Sequence, residues 1–155
     1  MAIAPTLQNY LDRNVTYDVI SHEPTMSSIQ TAEACHISGD RLAKGIVLCR
    51  NGGYVLAVLP ASYHIRLPEL RTQLGQDTAL AREDEIPQLF GDCVPGAVPA
   101  IGTCYALDLI VDESIDEQPD VYIEGGDHAT LIHMGQSQFA QLTKQAQRGR
   151  FSVRI

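Results

Sequence analysis

Two features of this chain could do chemistry: a lysine at the mouth of its most hydrophobic strand, and a loop that mixes prolines with glycines. Lys44 stands directly before Gly45-Ile46-Val47-Leu48-Cys49, so its stem would lie along the core while the ammonium stays at the strand's mouth. A cation fixed there can hold a phosphate, a carbonyl or a carboxylate. The same placement also suits a snorkelling lysine that only solubilises the strand start. The loop reads Cys93-Val94-Pro95-Gly96-Ala97-Val98-Pro99-Ala100-Ile101-Gly102. Its prolines exclude a helix and fit a central strand poorly, and glycine bares backbone N–H groups that a polar ligand can reach. A rigid turn with no ligand is the competing reading.

The other reactive side chains form no complete device. Cys35 and His36 are adjacent, and on a helix neighbours point about 100° apart, so they cannot pair as nucleophile and base. Cys93 or Cys104 could meet His22, His64, His128 or His133, but no spacing selects a partner, and the cysteines read as reduced core thiols. His128 and His133, with Asp127 nearby, complete no zinc or iron pattern, so neither a metal nor a cofactor is expected. The chain carries no GxxxxGK, GxGxxG or GxSxG motif, which leaves the common nucleotide-binding and hydrolase loops without support.

The elements that must position these residues follow from periodicity and turn chemistry. Pro5 to Asn14 reads as a helix, and Val15 to Ile20 as a strand with Val15, Tyr17 and Val19 alternating. Ser27 or Ser28 can cap a second helix that presents Ile29, Ala32, Cys35 and His36 on one face and ends at Gly39. The apolar runs 45–49 and 54–59, joined by Arg50-Asn51-Gly52-Gly53, predict a type I′ hairpin. Helices are expected from Pro68 to Leu74 and briefly from Pro87. Strands are expected at 107–111, 121–124 and 129–133, with a turn at 125–128, and a last helix runs from Gln136 to Arg148, ending at Gly149. Without a βαβ rhythm, this order favours an α/β fold of mixed, α+β-like type, a curved, barrel-like mixed sheet surrounded by helices. A doubly wound sheet is the alternative.

Length and composition set the outer bounds. A chain of 155 residues fits one domain, residues 1–155, able to bury about 70% of its unfolded surface without a staple. It has no apolar run of about 18 residues to span a bilayer, and MAIAPTLQNYLDRN lacks the basic lead of a signal peptide, so a cytoplasmic address without membrane contact is expected. The formal charge of −8 argues against broad wrapping of DNA or other nucleic acid. Lys144, Arg148, Arg150 and Arg154 near the C-terminus permit one cationic edge, or simply a solvated helix end.

Taken in order, His22-Glu23-Pro24, Ala43-Lys44 before its strand, the PGAVPAIG loop, and Gly125-Gly126-Asp127 before a strand resemble the YbaK family of freestanding aminoacyl-tRNA deacylases, related to the editing domain of bacterial prolyl-tRNA synthetase. The likeness spans about residues 15–148. It implies a mixed α/β domain with a barrel-like sheet, and hydrolysis of the ester that joins a wrong, small amino acid (Ala, Cys, Ser or Thr) to the acceptor end of a mischarged tRNA. It implies Lys44 and Gly96 as the catalytic pair, the lysine orienting the substrate's polar end and the loop amides facing the carbonyl. His22, Ala97, Val98, Pro99, Gly125, Gly126 and Asp127 would bind substrate. A ribose hydroxyl of the substrate would assist, and an aminoacyl-tRNA synthetase is the implied partner. Pro95, where many members have glycine, and Gly45, where a hydroxyl residue often stands, depart from the family pattern. A silent module that binds an acceptor end or a protein, and a cysteine-dependent hydrolase, are the rival readings.

Overall fold

The computed structural model describes residues 3–155. Helix α1 spans Pro5–Asn14, with proline opening its first turn, where a missing N–H costs nothing. It buries Leu7 and Leu11. Strand β1 covers Asp18–Ser21, shorter than the periodicity suggests. Val15 and Tyr17 precede it and pack on the core, whereas Val19 is 53% exposed, because β1 is an end strand of its sheet. Helix α2 runs Ser28–Ala34 and Ser27 caps it, accepting from the Gln30 N–H. It stops well before Gly39. His36 takes a left-handed φ of 57° and the Ile37 N–H returns to the Ala32 carbonyl, which satisfies the last turn.

Strands β2 (Leu42–Arg50) and β3 (Gly53–Pro60) form the expected hairpin. Asn51 and Gly52, with φ of 48° and 76°, supply the two left-handed residues that a type I′ turn needs. Two short strands, β4 (Tyr63–Ile65) and β5 (Ala79–Leu80), flank helix α3 (Leu67–Leu74), and helix α4 covers Ile86–Leu89. After the proline-glycine loop and a 3-10 turn at Thr103–Tyr105 come β6 (Asp108–Asp112), α5 (Glu113–Asp116), β7 (Asp120–Glu124), β8 (Thr130–Gly135), α6 (Gln136–Leu142), β9 (Gln147–Gly149) and β10 (Ser152–Arg154).

The main sheet runs β1-β8-β7-β2-β3-β6-β9, with β5 added on β2, and β10 pairs with β4 apart from it. It is mixed: β2 meets β7 in parallel and β3 antiparallel, and β3, β6 and β9 are parallel. The doubly wound alternative is thereby set aside. The end strands β1 and β9 do not pair with each other, so the sheet does not close into a barrel among the described residues. One face buries α1, Phe139 of α6 and the loop's Ala100 and Ile101. The other buries Leu70, Leu74 and Phe151. Strand β3 is consequently buried on both faces from Val55 to Pro60.

Helix α6 is half its expected length. Arg148 places its guanidinium on the Thr143 carbonyl at 2.6 Å and on Thr143 Oγ1 at 2.7 Å, and residues 147–149 leave the helix to extend the sheet beside β6. Three of the four C-terminal cations that could have formed a cationic edge are engaged with carboxylates, Arg148 with Asp116, Arg150 with Glu113 and Glu117, and Arg154 with Asp40. No helix among the described residues is long and apolar enough to cross a membrane.

Candidate functional site

A cavity of about 260 Å³ opens beside the start of β2. Lys44 and Gly45 form one wall. Cys93 to Gly96 and Val98 form the second, Glu83, Ile86, Pro87 and Phe90 the third, and Ser28 and Glu124 complete the enclosure. The lysine and the loop, separated by about fifty residues of sequence, thus share one space. Lys44 Nζ donates to the Ala61 carbonyl at 3.3 Å, and burial lowers its pKa from the ordinary lysine value. The ammonium is anchored by one bond and keeps two donors for a ligand.

The loop owes its shape to a turn. The Ala97 N–H bonds the Val94 carbonyl at 3.0 Å around Pro95 and Gly96, and Gly96 has a φ of 85°. Proline at the second position and a left-handed glycine at the third are the type II requirements. The turn consumes the Ala97 N–H. Among the described residues, the Gly96 and Val98 N–H groups find no acceptor within the protein, and both residues line the cavity. His128 braces the turn from behind, its Nε2 2.7 Å from the Pro95 carbonyl oxygen. Gly45 has a packing reason: a Cβ there would lie 2.9 Å from Leu56 Cδ1 and 3.2 Å from the Pro99 carbonyl oxygen. Absence of a side chain lets the loop settle on β2.

Of the residues singled out in the sequence, Lys44, Gly96 and Val98 line the cavity. Gly45, Cys93 and Pro95 do so too, whereas His22, Ala97, Pro99, Gly125, Gly126 and Asp127 are not among its lining residues. Ala97 is fully buried, and Pro99 rests on Gly45. Gly125 accepts from the Ala4 N–H, and Gly126 accepts from the Val94 N–H at 2.7 Å. A Cβ on Gly126 would meet Ala4 and Cys93, so the room its missing side chain leaves is filled by protein. Asp127 accepts from the Ala129 N–H and Thr130 Oγ1, which fixes the turn into β8. His22 bonds the Glu23 carbonyl oxygen through Nδ1, and its buried Nε2 has no partner among the described residues.

Periodicity had no means of finding Ser28, Phe90 and Glu124. Glu124 left one signal, a carboxylate closing the apolar run Val121-Tyr122-Ile123 just before two glycines. Cys93 does reach the cavity, but burial pushes its thiol up and its Sγ lies 3.4 Å from Tyr105 Oη. Cys104 is pushed up to about 12 by burial. Neither is a ready thiolate. No group of three or more His, Cys, Asp or Glu residues suited to a metal occurs among the described residues.

Comparison with known proteins agrees with this architecture. A family model for the aminoacyl-tRNA editing domain matches residues 22–142. Among solved structures, a candidate trans-editing enzyme for prolyl tRNA synthetase superposes with a TM-score of 0.84 at 22% identity, covering 97% of this chain and 96% of its own. The hypothetical protein APE2540 gives 0.83 at 22% identity over 96% and 99%. A candidate signal transduction protein from Marinobacter aquaeolei VT8 gives 0.77 at 23% identity, over 96% of this chain and 30% of that one. At such identities these likenesses establish the fold alone. No curated protein matches the sequence.

Proposed function

The chain belongs to the aminoacyl-tRNA editing domain family, and on that premise we propose that it is a trans-editing deacylase, hydrolysing the ester between a wrong small amino acid and the terminal adenosine of a tRNA. The observation that carries this reading is the shared cavity: the residues that bear one anchored ammonium and two unused backbone donors line the same space. An aminoacyl ester is intrinsically labile, so holding it in place and stabilising the developing oxyanion can suffice without a side-chain nucleophile. The Gly96 and Val98 amides receive the carbonyl oxygen as it gains charge. Lys44 orients the adenosine phosphate or the substrate's polar end, and a ribose hydroxyl beside the ester assists the attacking water.

Ile86, Phe90 and Val98 give the cavity apolar wall, suited to a small uncharged side chain. A second pocket of this kind is useful because one methylene separates substrates by only about 1–3 kcal/mol at a synthetase. The protein acts as one unit in the cytoplasm, contacting the acceptor end. Its C-terminal arginines are engaged with carboxylates, so an aminoacyl-tRNA synthetase holding the tRNA supplies the affinity that a chain of charge −8 lacks.

Incubation with tRNAs mischarged with Ala, Cys, Ser or Thr tests the reading. Ester loss is expected for at least one of them, reduced about a hundredfold in Lys44→Ala, the usual scale for losing one oxyanion or phosphate donor, and unaffected by Cys93→Ser. Binding without turnover would make the protein a recognition module, and dependence on Cys93 rather than Lys44 would make it a cysteine hydrolase.

A further inference from the structure

Glu124 closes β7 with only 7% exposure, yet it stands in the wall of the cavity that Lys44 and Gly96 share. Thr31 Oγ1 donates to its Oε1 at 3.3 Å, while Oε2 is enclosed and has no hydrogen-bond partner among the described residues. Among the described residues no ion pair joins it to Lys44, whose ammonium bonds the Ala61 carbonyl. A buried carboxylate with one empty oxygen is costly, and such a group calls for an explanation such as a missing bonding partner. Burial also raises its pKa against the opposing pull of Thr31, His22 and His128. A cation rich in donors would satisfy that oxygen and offset the buried charge together. The terminal torsion of a glutamate is soft, so a small rotation turns Oε2 to whatever occupies the cavity.

Building on the deacylase reading, we propose that the Glu124 carboxylate receives the α-ammonium of the aminoacyl group. In an aminoacyl ester the ammonium lies two bonds from the carbonyl carbon, so a carbonyl seated on the Gly96 and Val98 amides holds the ammonium inside the cavity. Lys44 remains for the anionic end. The three groups then read three different features of one substrate. The site distinguishes aminoacyl esters from hydroxyacyl esters, and it passes over esters whose nitrogen is acylated, which carry no ammonium.

The test is binding of two stable amides, 3′-deoxy-3′-(L-alanylamino)adenosine and its L-lactoyl counterpart, to the full chain at pH 7 by calorimetry. They differ only in ammonium against hydroxyl. Wild-type protein should bind the alanyl amide about tenfold more tightly or better, the scale of a hydrogen bond between charged groups, and Glu124→Gln should abolish that ratio. Glutamine keeps the shape and the Thr31 bond, and a melting curve on each protein verifies folding. Equal wild-type affinities, or a preference that survives in Glu124→Gln, overturn the proposal. Hydrolysis of alanyl-tRNA is measured alongside: preference without hydrolysis sinks the deacylase reading and leaves the ammonium site, and hydrolysis without preference does the reverse.

Discussion

Alanine substitution at two glycines separates backbone strain from damage to the site. Gly52 has a φ of 76°, and a Cβ there meets nothing within 4 Å. Gly96 has a φ of 85°, and a Cβ there lies 3.2 Å from His128 Cε1 and 3.4 Å from Nε2. Both substitutions force an L side chain into the left-handed region, at about 1–2 kcal/mol. For a chain of this size that lowers the melting temperature by about 2–8 °C, taking roughly 2–4 °C per kcal/mol. Only at Gly96 must a neighbour also yield. His128 has to retreat by a few tenths of an ångström, which loosens its 2.7 Å bond to the Pro95 carbonyl oxygen and shifts the two unused amides. Since a 1 Å misplacement can cost about a hundredfold in rate, a shift of this size should cost about tenfold. The assay is single-turnover deacylation beside a thermal melt. Gly52→Ala should lose stability and keep its rate; Gly96→Ala should lose both. A full rate in Gly96→Ala, or an equal rate loss in Gly52→Ala, would refute the placement of the loop amides at the reacting carbonyl.

Asp112, 2% exposed, accepts from the Phe151 and Ser114 N–H groups and from the Ser114 and Ser152 hydroxyls. Asp112→Asn should lower stability by about 3 kcal/mol, two charge-assisted hydrogen bonds at roughly 1.5 kcal/mol each, measured by urea denaturation. Burial pushes this carboxyl up, but those four hydrogen bonds prevail and hold it below the ordinary carboxylate value. A depressed folded value means that the stabilisation is complete above the unfolded value of about 3.9 and is lost as pH falls through the folded one. Acid melts below about pH 4 should therefore fall more steeply in wild type than in Asp112→Asn. Ser27→Ala removes the cap on α2 and should cost about 1 kcal/mol in the same denaturation measurement.

The sequence determined whatever depends on neighbours along the chain. Asn51-Gly52 specifies its hairpin because two left-handed residues admit few alternatives, and Pro5 opens α1. Ser27 caps α2 by a bond to a residue three positions on. Lys44 and the Pro95-Gly96 turn were legible as candidates for the same reason, one from its place before an apolar strand, the other from its turn chemistry. Tertiary structure decided the rest. The length of α6 was settled by β6, which draws residues 147–149 into the sheet, and the exposure of Val19 by its place on an end strand. Glu124 entered the cavity because the parallel pairing of β7 with β2 sets it near Lys44, about eighty residues away in the chain. Local propensity acts over a few residues, whereas a cavity is the meeting of segments whose separation along the chain carries no local signal.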